Sequence, residues 1–297
     1  MADFDFDKAM SFVNKHASII DKTRFYILYM DEVSKTHKSQ LSKMINSREE
    51  GKLFSLDYEP ENPPSVISTV YFLSHFQDAI LMIHENYLIS DLILALLPYQ
   101  NQDGSWSECS EMLEWDKLPE WADTKEEASK IWVSALATTV LSTLPSSFVS
   151  ISVIKKGIDY LKKHVDEENG GIKDLIHATF VASPLIYSRM LGNRDFVEKT
   201  NKLITQTIVD NDFGGTLGWY QEQLSNVTTP KIRSAFVELF KKIKYLQLDD
   251  GSFMSEEGDD EKFRAQATVQ ALIGYLKAEE RIKTFQKPKF SSSVSRK

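Results

Sequence analysis

Gln100-Asn-Gln-Asp-Gly-Ser-Trp106 and Gln247-Leu-Asp-Asp-Gly-Ser-Phe253 follow one pattern: Gln, three residues, Gly, one residue, then an aromatic. Each closes an apolar, helix-like run, residues 92–99 and 236–246, and each passes through a polar stretch into another amphipathic run. A motif repeated in the same context marks repeating supersecondary units, so architecture is read from it first. Gly104 and Gly251 permit the positive φ that stops a helix, and Asp103 and Asp250 accept nearby backbone N–H groups. The Gln amide reaches free carbonyls at a helix end and the aromatic ring packs over it. These turns are expected to staple neighbouring repeats together, which makes Trp106 and Phe253 structural residues.

Outward from the turns, nearly every periodic segment reads as helix. Residues 6–33 form a helical hairpin with a break near Asp21, and residues 65–83 and 89–97 form a second pair. Residues 35–64 are polar, end in Pro60-Glu-Asn-Pro-Pro64 and read as a connector; residues 111–127, acidic with Trp115 and Trp121, read as a long loop. A helix follows over 128–144, and Pro145-Ser-Ser begins the next one, which runs through Val153, Ile154, Ile158 and Leu161. Lys163 to Ile172, with Gly170-Gly171, stands where a third, degenerate turn belongs. Residues 176–191 form an apolar helix whose interior Pro184 predicts a kink. Residues 196–209 and 231–246 are helical, with Asp212-Phe-Gly-Gly-Thr-Leu-Gly-Trp219 between them as a fourth Gly-rich turn, and residues 263–277 close the series. No stretch alternates with period two, so the fold class is all-α. One domain over 1–288 with a polar, basic tail at 289–297 is expected.

The 297 residues carry a net charge of −8, with 42% hydrophobic and 11% aromatic residues, enough rings to line a cavity as well as fill a core. No segment interleaves Lys or Arg with aromatics, which gives no support to nucleic-acid binding. Cys109 is the only cysteine, so an intramolecular disulfide and a Cys-based zinc site are excluded, and a reducing, cytoplasmic setting fits best. The first residues lack the basic and apolar regions of a secretory signal. The greasiest stretch, 66–99, is interrupted by His75, Gln77, Asp78, His84, Glu85, Asn86 and Asp91, which argues against a membrane span. Peripheral membrane contact through an apolar rim, or a partner subunit, stays open.

Gln100 to Trp106, preceded by Leu96-Leu97, resembles the Gln–Trp motif of triterpene and class II diterpene cyclases. Gln247 to Phe253 resembles the same turn in protein prenyltransferase beta subunits, and 131–136 with 160–163 and Gly170-Gly171 resembles the toroid of complement thioester domains. The resemblance spans roughly 66–276. It implies an alpha-alpha toroid, a ring of helical hairpins whose inner helices line a central cavity, and an isoprenoid or other apolar small-molecule substrate.

On that resemblance Arg264, in the order acidic, x, Phe, Arg, aligns with an Arg that contacts a diphosphate at the start of an inner helix, a position with bidentate donors and a favourable helix dipole. Its alternative is a salt bridge to Asp260 or Glu261. The class II motif Asp-x-Asp-Asp is absent, which leaves Asp259, Asp260 and Glu261 as candidate acids, against a solvated acidic loop. Counting back from the small-residue helix sets His177 where Arg264 sits, and Trp132 supplies a cation-stabilising face. No prenyltransferase zinc set, no thioester motif and no Asp-Asp-x-x-Asp occur. No resident cofactor is implied; a diphosphate substrate would bring Mg2+. The readings are a terpenoid-type enzyme, a non-catalytic toroid that binds a lipid or protein, and a carbohydrate-active helical barrel with paired carboxylates.

Overall fold

The computed structural model describes residues 4–29, 35–82, 86–227, 229 and 232–286, without the side chains of 77–82, 86, 285 and 286. The expected tail at 289–297 lies outside the described residues. Among these, thirteen α-helices and three short 3-10 turns form, and no strand.

Helices alternate between two layers. The outer ones are α1 (Phe6–His16), α3 (Lys35–Asn46), α5 (Asn86–Leu96), α8 (Ile151–Lys162), α10 (Arg194–Asp210) and α12 (Arg233–Tyr245). The inner ones are α2 (Ile19–Tyr29), α4 (Val66–Met82), α7 (Glu127–Thr143), α9 (Ile176–Tyr187), α11 (Gly214–Ser225) and α13 (Glu261–Gln286), and α6 (Ser110–Leu113) is a short insert. The patterning explains the sorting. Outer α8 buries Ile154, Gly157, Ile158 and Leu161 and exposes Lys155, Lys156, Asp159 and Lys162, whereas inner α7 buries every residue from Val133 to Leu141. Each inner helix packs on the next, α2 on α4, then α7, α9, α11 and α13, and α13 returns to α2. Six hairpins thus close an alpha-alpha toroid.

The Gln turns staple the outer layer. Gln100 donates Nε2 to the Val153 carbonyl of α8 at 2.9 Å; Gln247 donates to the Asp5 carbonyl and accepts the Asp5 N–H, both at 2.8 Å, joining the last turn to the first helix. Gly104 has φ +93°, and a Cβ there would lie 2.0 Å from the Lys156 carbonyl oxygen. The residue that ends each turn is anchored by a hydroxyl of the following inner helix. Trp106 N–H donates to Ser134 Oγ, Ile172 to Thr179 Oγ1 and Phe253 to Thr268 Oγ1, at 2.8, 2.8 and 3.1 Å. Phe54 repeats the arrangement with Thr69. The degenerate third turn is therefore a true repeat, with Ile172 in the aromatic's place.

Three expectations need correction. Residues 35–64 are not a plain connector, because Leu41 and Met44 give α3 a buried face. Residues 111–127 begin within α6 and include a 3-10 turn at Glu120–Ala122. The segment 212–219 is not a turn: Gly214 opens α11. Its glycines serve helix contact, since a Cβ on Gly218 would come 2.5 Å from Ala271 Cα, and one on Gly274 would come 2.1 Å from the Gly218 carbonyl. Two backbones approach closely where side chains are absent. Pro184 sits inside α9, which continues to Tyr187.

Candidate functional site

The hydroxyl anchors fix the register of the inner helices, and they change one alignment. Ser134, Thr179 and Thr268 are equivalent, so two residues earlier Trp132, His177 and Gln266 are equivalent. Arg264 lies two residues before that row, about 200° around a helix of 3.6 residues per turn. It therefore faces another way than His177, and the register that matched them is corrected.

Arg264 turns outward to the second Gln turn. Its Nη2 lies 2.5 Å from Asp250 Oδ2 and also bonds Ser252 Oγ, and its guanidinium stands 5.2 Å from the centre of the Phe12 ring on α1. The carboxyl partner is Asp250, not Asp260 or Glu261. Asp260 caps α13: its Oδ1 accepts Lys262 N–H at 2.8 Å and its carbonyl accepts Arg264 N–H at 2.9 Å. Glu261 lies 2.9 Å from His16 Nδ1 on outer α1, and Asp259 is exposed. The acidic run and Arg264 thus join α13 to the outer layer.

Trp132 and His177 come together with two residues that sequence reasoning missed, Trp219 and Tyr220. The Trp132 and Trp219 ring centres are 6.0 Å apart, and the His177 ring lies 6.4 Å from the first and 5.8 Å from the second. Tyr220 stacks on Phe180 at 3.6 Å, and its hydroxyl lies 3.3 Å from His177 Nδ1. Three successive inner helices thus supply one aromatic collar, in which both tryptophans keep part of their surface accessible and His177 is exposed. Desolvation by the neighbouring rings, acting although part of the imidazole is exposed, lowers the His177 pKa against the opposing pull of Glu256, which favours the neutral ring at pH 7. Trp219 was read as part of a turn, which concealed it; the helical continuation of 214–225 was its signal.

Below the collar the ring interior is polar. Glu222 of α11 accepts from Arg24 Nη2 at 2.8 Å, Gln270 Nε2 at 2.9 Å and Lys277 Nζ at 2.7 Å, and Arg24 Nη1 donates to Gln270 Oε1 at 2.7 Å. Four side chains from α2, α11 and α13 thus form one network. Burial alone would raise the Glu222 carboxyl, but Lys277 and Arg24 outweigh it and hold it well below the usual carboxylate range. His75 of α4 is pushed well below an ordinary histidine, by burial first and then by Arg24, against Glu222. Burial pushes Tyr71 up to about 12.

The 47–65 loop reaches the inner helices through Asp57 and Tyr58, whose φ values of +55° and +61° are rare for residues with a side chain. Asp57 N–H donates to Ser68 Oγ at 3.3 Å and the Tyr58 hydroxyl to the Ser68 carbonyl at 3.4 Å. Asp57 is exposed, and partial desolvation beside the inner helices raises its carboxyl, opposed by Lys262 at the start of α13. Strained backbone of this kind clusters at functional sites. Nothing in the local sequence marked Asp57, because its surroundings are supplied by distant helices. Among the described residues no group of three His, Cys, Asp or Glu side chains is arranged to hold a metal ion.

The neutral His75 makes stability depend on pH. Its folded pKa is depressed, so below the ordinary value of 6.5 the unfolded chain takes up a proton that the folded chain refuses. The stabilisation is complete above 6.5 and is lost as pH falls below it, by up to about 1.4 kcal/mol per pH unit for one proton. Urea midpoints measured from pH 7.5 to 5.5 are expected to fall, and to fall less in His75→Gln; equal slopes in the two proteins would remove His75 from this account. His37, His164 and His177 are lowered too and supply the remaining slope.

Comparison with solved structures agrees with this architecture. The apo structure of the type II terpene cyclase MstE from Scytonema superimposes with a TM-score of 0.62 over 93% of this chain and 97% of that one, at 11% identity. A protein from Actinoplanes gives 0.61 over 92% and 98%, at 9% identity. The chain has a terpene cyclase-like alpha-alpha toroid fold. No protein-family model matches the sequence, and no curated protein matches it. No helix among the described residues is long and apolar enough to cross a membrane.

Proposed function

We propose that the protein is a terpenoid cyclase-like enzyme that folds an isoprenoid or prenyl-diphosphate substrate inside the ring. The observation that carries this reading is the collar, in which the Trp132 and Trp219 ring centres lie 6.0 Å apart and both side chains keep part of their surface accessible. Aromatic faces stabilise a carbocation electrostatically and bury an isoprenoid chain well. For the proton we choose Asp57 over Asp259, Asp260 and Glu261. Its carboxyl is exposed at the loop and is raised from the ordinary range by desolvation, against Lys262, while Asp260 and Glu261 are engaged in capping and an ion pair. Asp57 adds its proton to an alkene carbon, the ring closes on the resulting cation, and neutral His177 takes the proton lost at the end. A cytoplasmic location fits the single, buried cysteine.

The test is incubation with geranyl, farnesyl and geranylgeranyl diphosphates and squalene, with and without Mg2+, followed by gas chromatography–mass spectrometry. A cyclised product is expected, at least 100-fold slower in Asp57→Asn and 10- to 100-fold slower in Trp219→Ala. Product formation unchanged in Asp57→Asn returns the acid to Asp259–Glu261. A second reading, a non-catalytic ring that binds a lipid, draws on Glu222: the carboxyl deepest in the described interior is held ionised and cannot donate a proton. Absence of product from a protein that still binds farnesol, seen as quenched tryptophan emission, would favour that reading.

A further inference from the structure

The polar centre of the ring leaves two groups unanswered. Neither the Tyr71 hydroxyl nor the His75 imidazole hydrogen-bonds to a described protein group, yet both side chains keep part of their surface accessible deep among the inner helices. Desolvated polar atoms normally find a protein, water or ligand partner. Beside them stand Arg24 and Lys277, with side chains 11% and 28% exposed, against the single carboxylate of Glu222, so the network's described charges leave one net positive charge among the inner helices. A buried excess charge is costly unless a counter-charge meets it.

We infer that the ring centre binds one carboxylate, held by Lys277 and Arg24 and hydrogen-bonded by Tyr71 and His75, beneath an apolar chain that lies against the collar. The Tyr71 O–H and a neutral His75 N–H each donate one bond, and the single surplus charge matches a monoanion. A diphosphate would bring two or three negative charges against the one that the site offers. Gln270, bonded to both Arg24 and Glu222, fixes the guanidinium so that it does not have to reorganise on binding. The inference rests on the isoprenoid reading for the chain alone, since the carboxylate is recognised by groups outside the collar.

Calorimetric titration of the full chain with farnesoate, farnesol, farnesyl diphosphate, decanoate and decanol separates the two claims. Farnesoate is expected to bind at least tenfold more tightly than farnesol, and decanoate than decanol. Tyr71→Phe should reduce the preference about tenfold and leave farnesol affinity unchanged, and Lys277→Met should abolish it. Tyr71→Phe removes only a hydroxyl without a hydrogen-bond partner among the described residues, so it reports on the site even where Lys277→Met fails to fold. Equal affinity for acid and alcohol in both pairs overturns the carboxylate site and leaves the isoprenoid reading standing. Tighter binding of decanoate with no binding of any farnesyl compound keeps the site and overturns that reading. A diphosphate that outcompetes farnesoate overturns the assignment to a monoanion, and so does a preference that survives in Tyr71→Phe undiminished.

Discussion

Glu222→Ala is expected to destabilise the protein by about 3–5 kcal/mol, because it leaves Arg24 and Lys277 in the ring with no described carboxylate between them. The Glu222 side chain is 5% exposed, that of Arg24 11% and that of Lys277 28%, so water replaces the lost partner poorly, and least well at Arg24. Urea denaturation followed by circular dichroism measures the loss. Replacing the cluster as a unit, with Glu222→Leu, Arg24→Leu and Lys277→Leu together, should recover much of it, since apolar groups of similar volume carry no desolvation cost. A loss below about 1 kcal/mol for the single variant would mean that the interior is wet. That result would also weaken the carboxylate site, whose strength depends on a dry surrounding.

Trp106→Ala is the second large effect, again about 3–5 kcal/mol. The indole is fully buried at the end of the first Gln turn, between α7 and the outer layer, and its removal leaves a cavity where Ser134 and Gly104 hold the backbone on both sides. Trp106→Phe should cost much less, because Phe253 fills the equivalent place in the other turn. Substrate turnover measured below the melting temperature is expected to survive in Trp106→Phe. A catalytic role for this tryptophan would instead appear as lost activity in a protein of unchanged stability.

Much of the ring was legible in the residues. A Gln, a left-handed Gly and an aromatic at fixed spacing describe a local turn, and local geometry is what a short motif encodes. The same holds for the amphipathic outer helices, where the stripe of α8 can be read directly. Reading failed where a residue's role depends on what packs against it from afar. The glycines of α11 resemble a loop until α13 is seen lying against them at Gly274 and Ala271.

The candidate site divides along the same line. Trp132 and His177 were identifiable as residues of inner helices, and they meet in the collar. Arg264 was placed by its order in the sequence, but a shift of two residues turns it to Asp250 and Ser252 on the outer side, and only the anchor at Thr268 reveals that register. Asp57, Tyr71, His75, Glu222 and Lys277 come from four separate segments that no spacing connects.

By itself the sequence determined an all-helical repeat and its two stapling turns, because helix periodicity and turn chemistry act over a few residues. Tertiary structure alone decided which side chains face the ring's centre and how they are charged there. Those properties arise from closure of the ring, which brings α13 back onto α2, buries Arg24 and Glu222 and sets the half-buried Lys277 beside them.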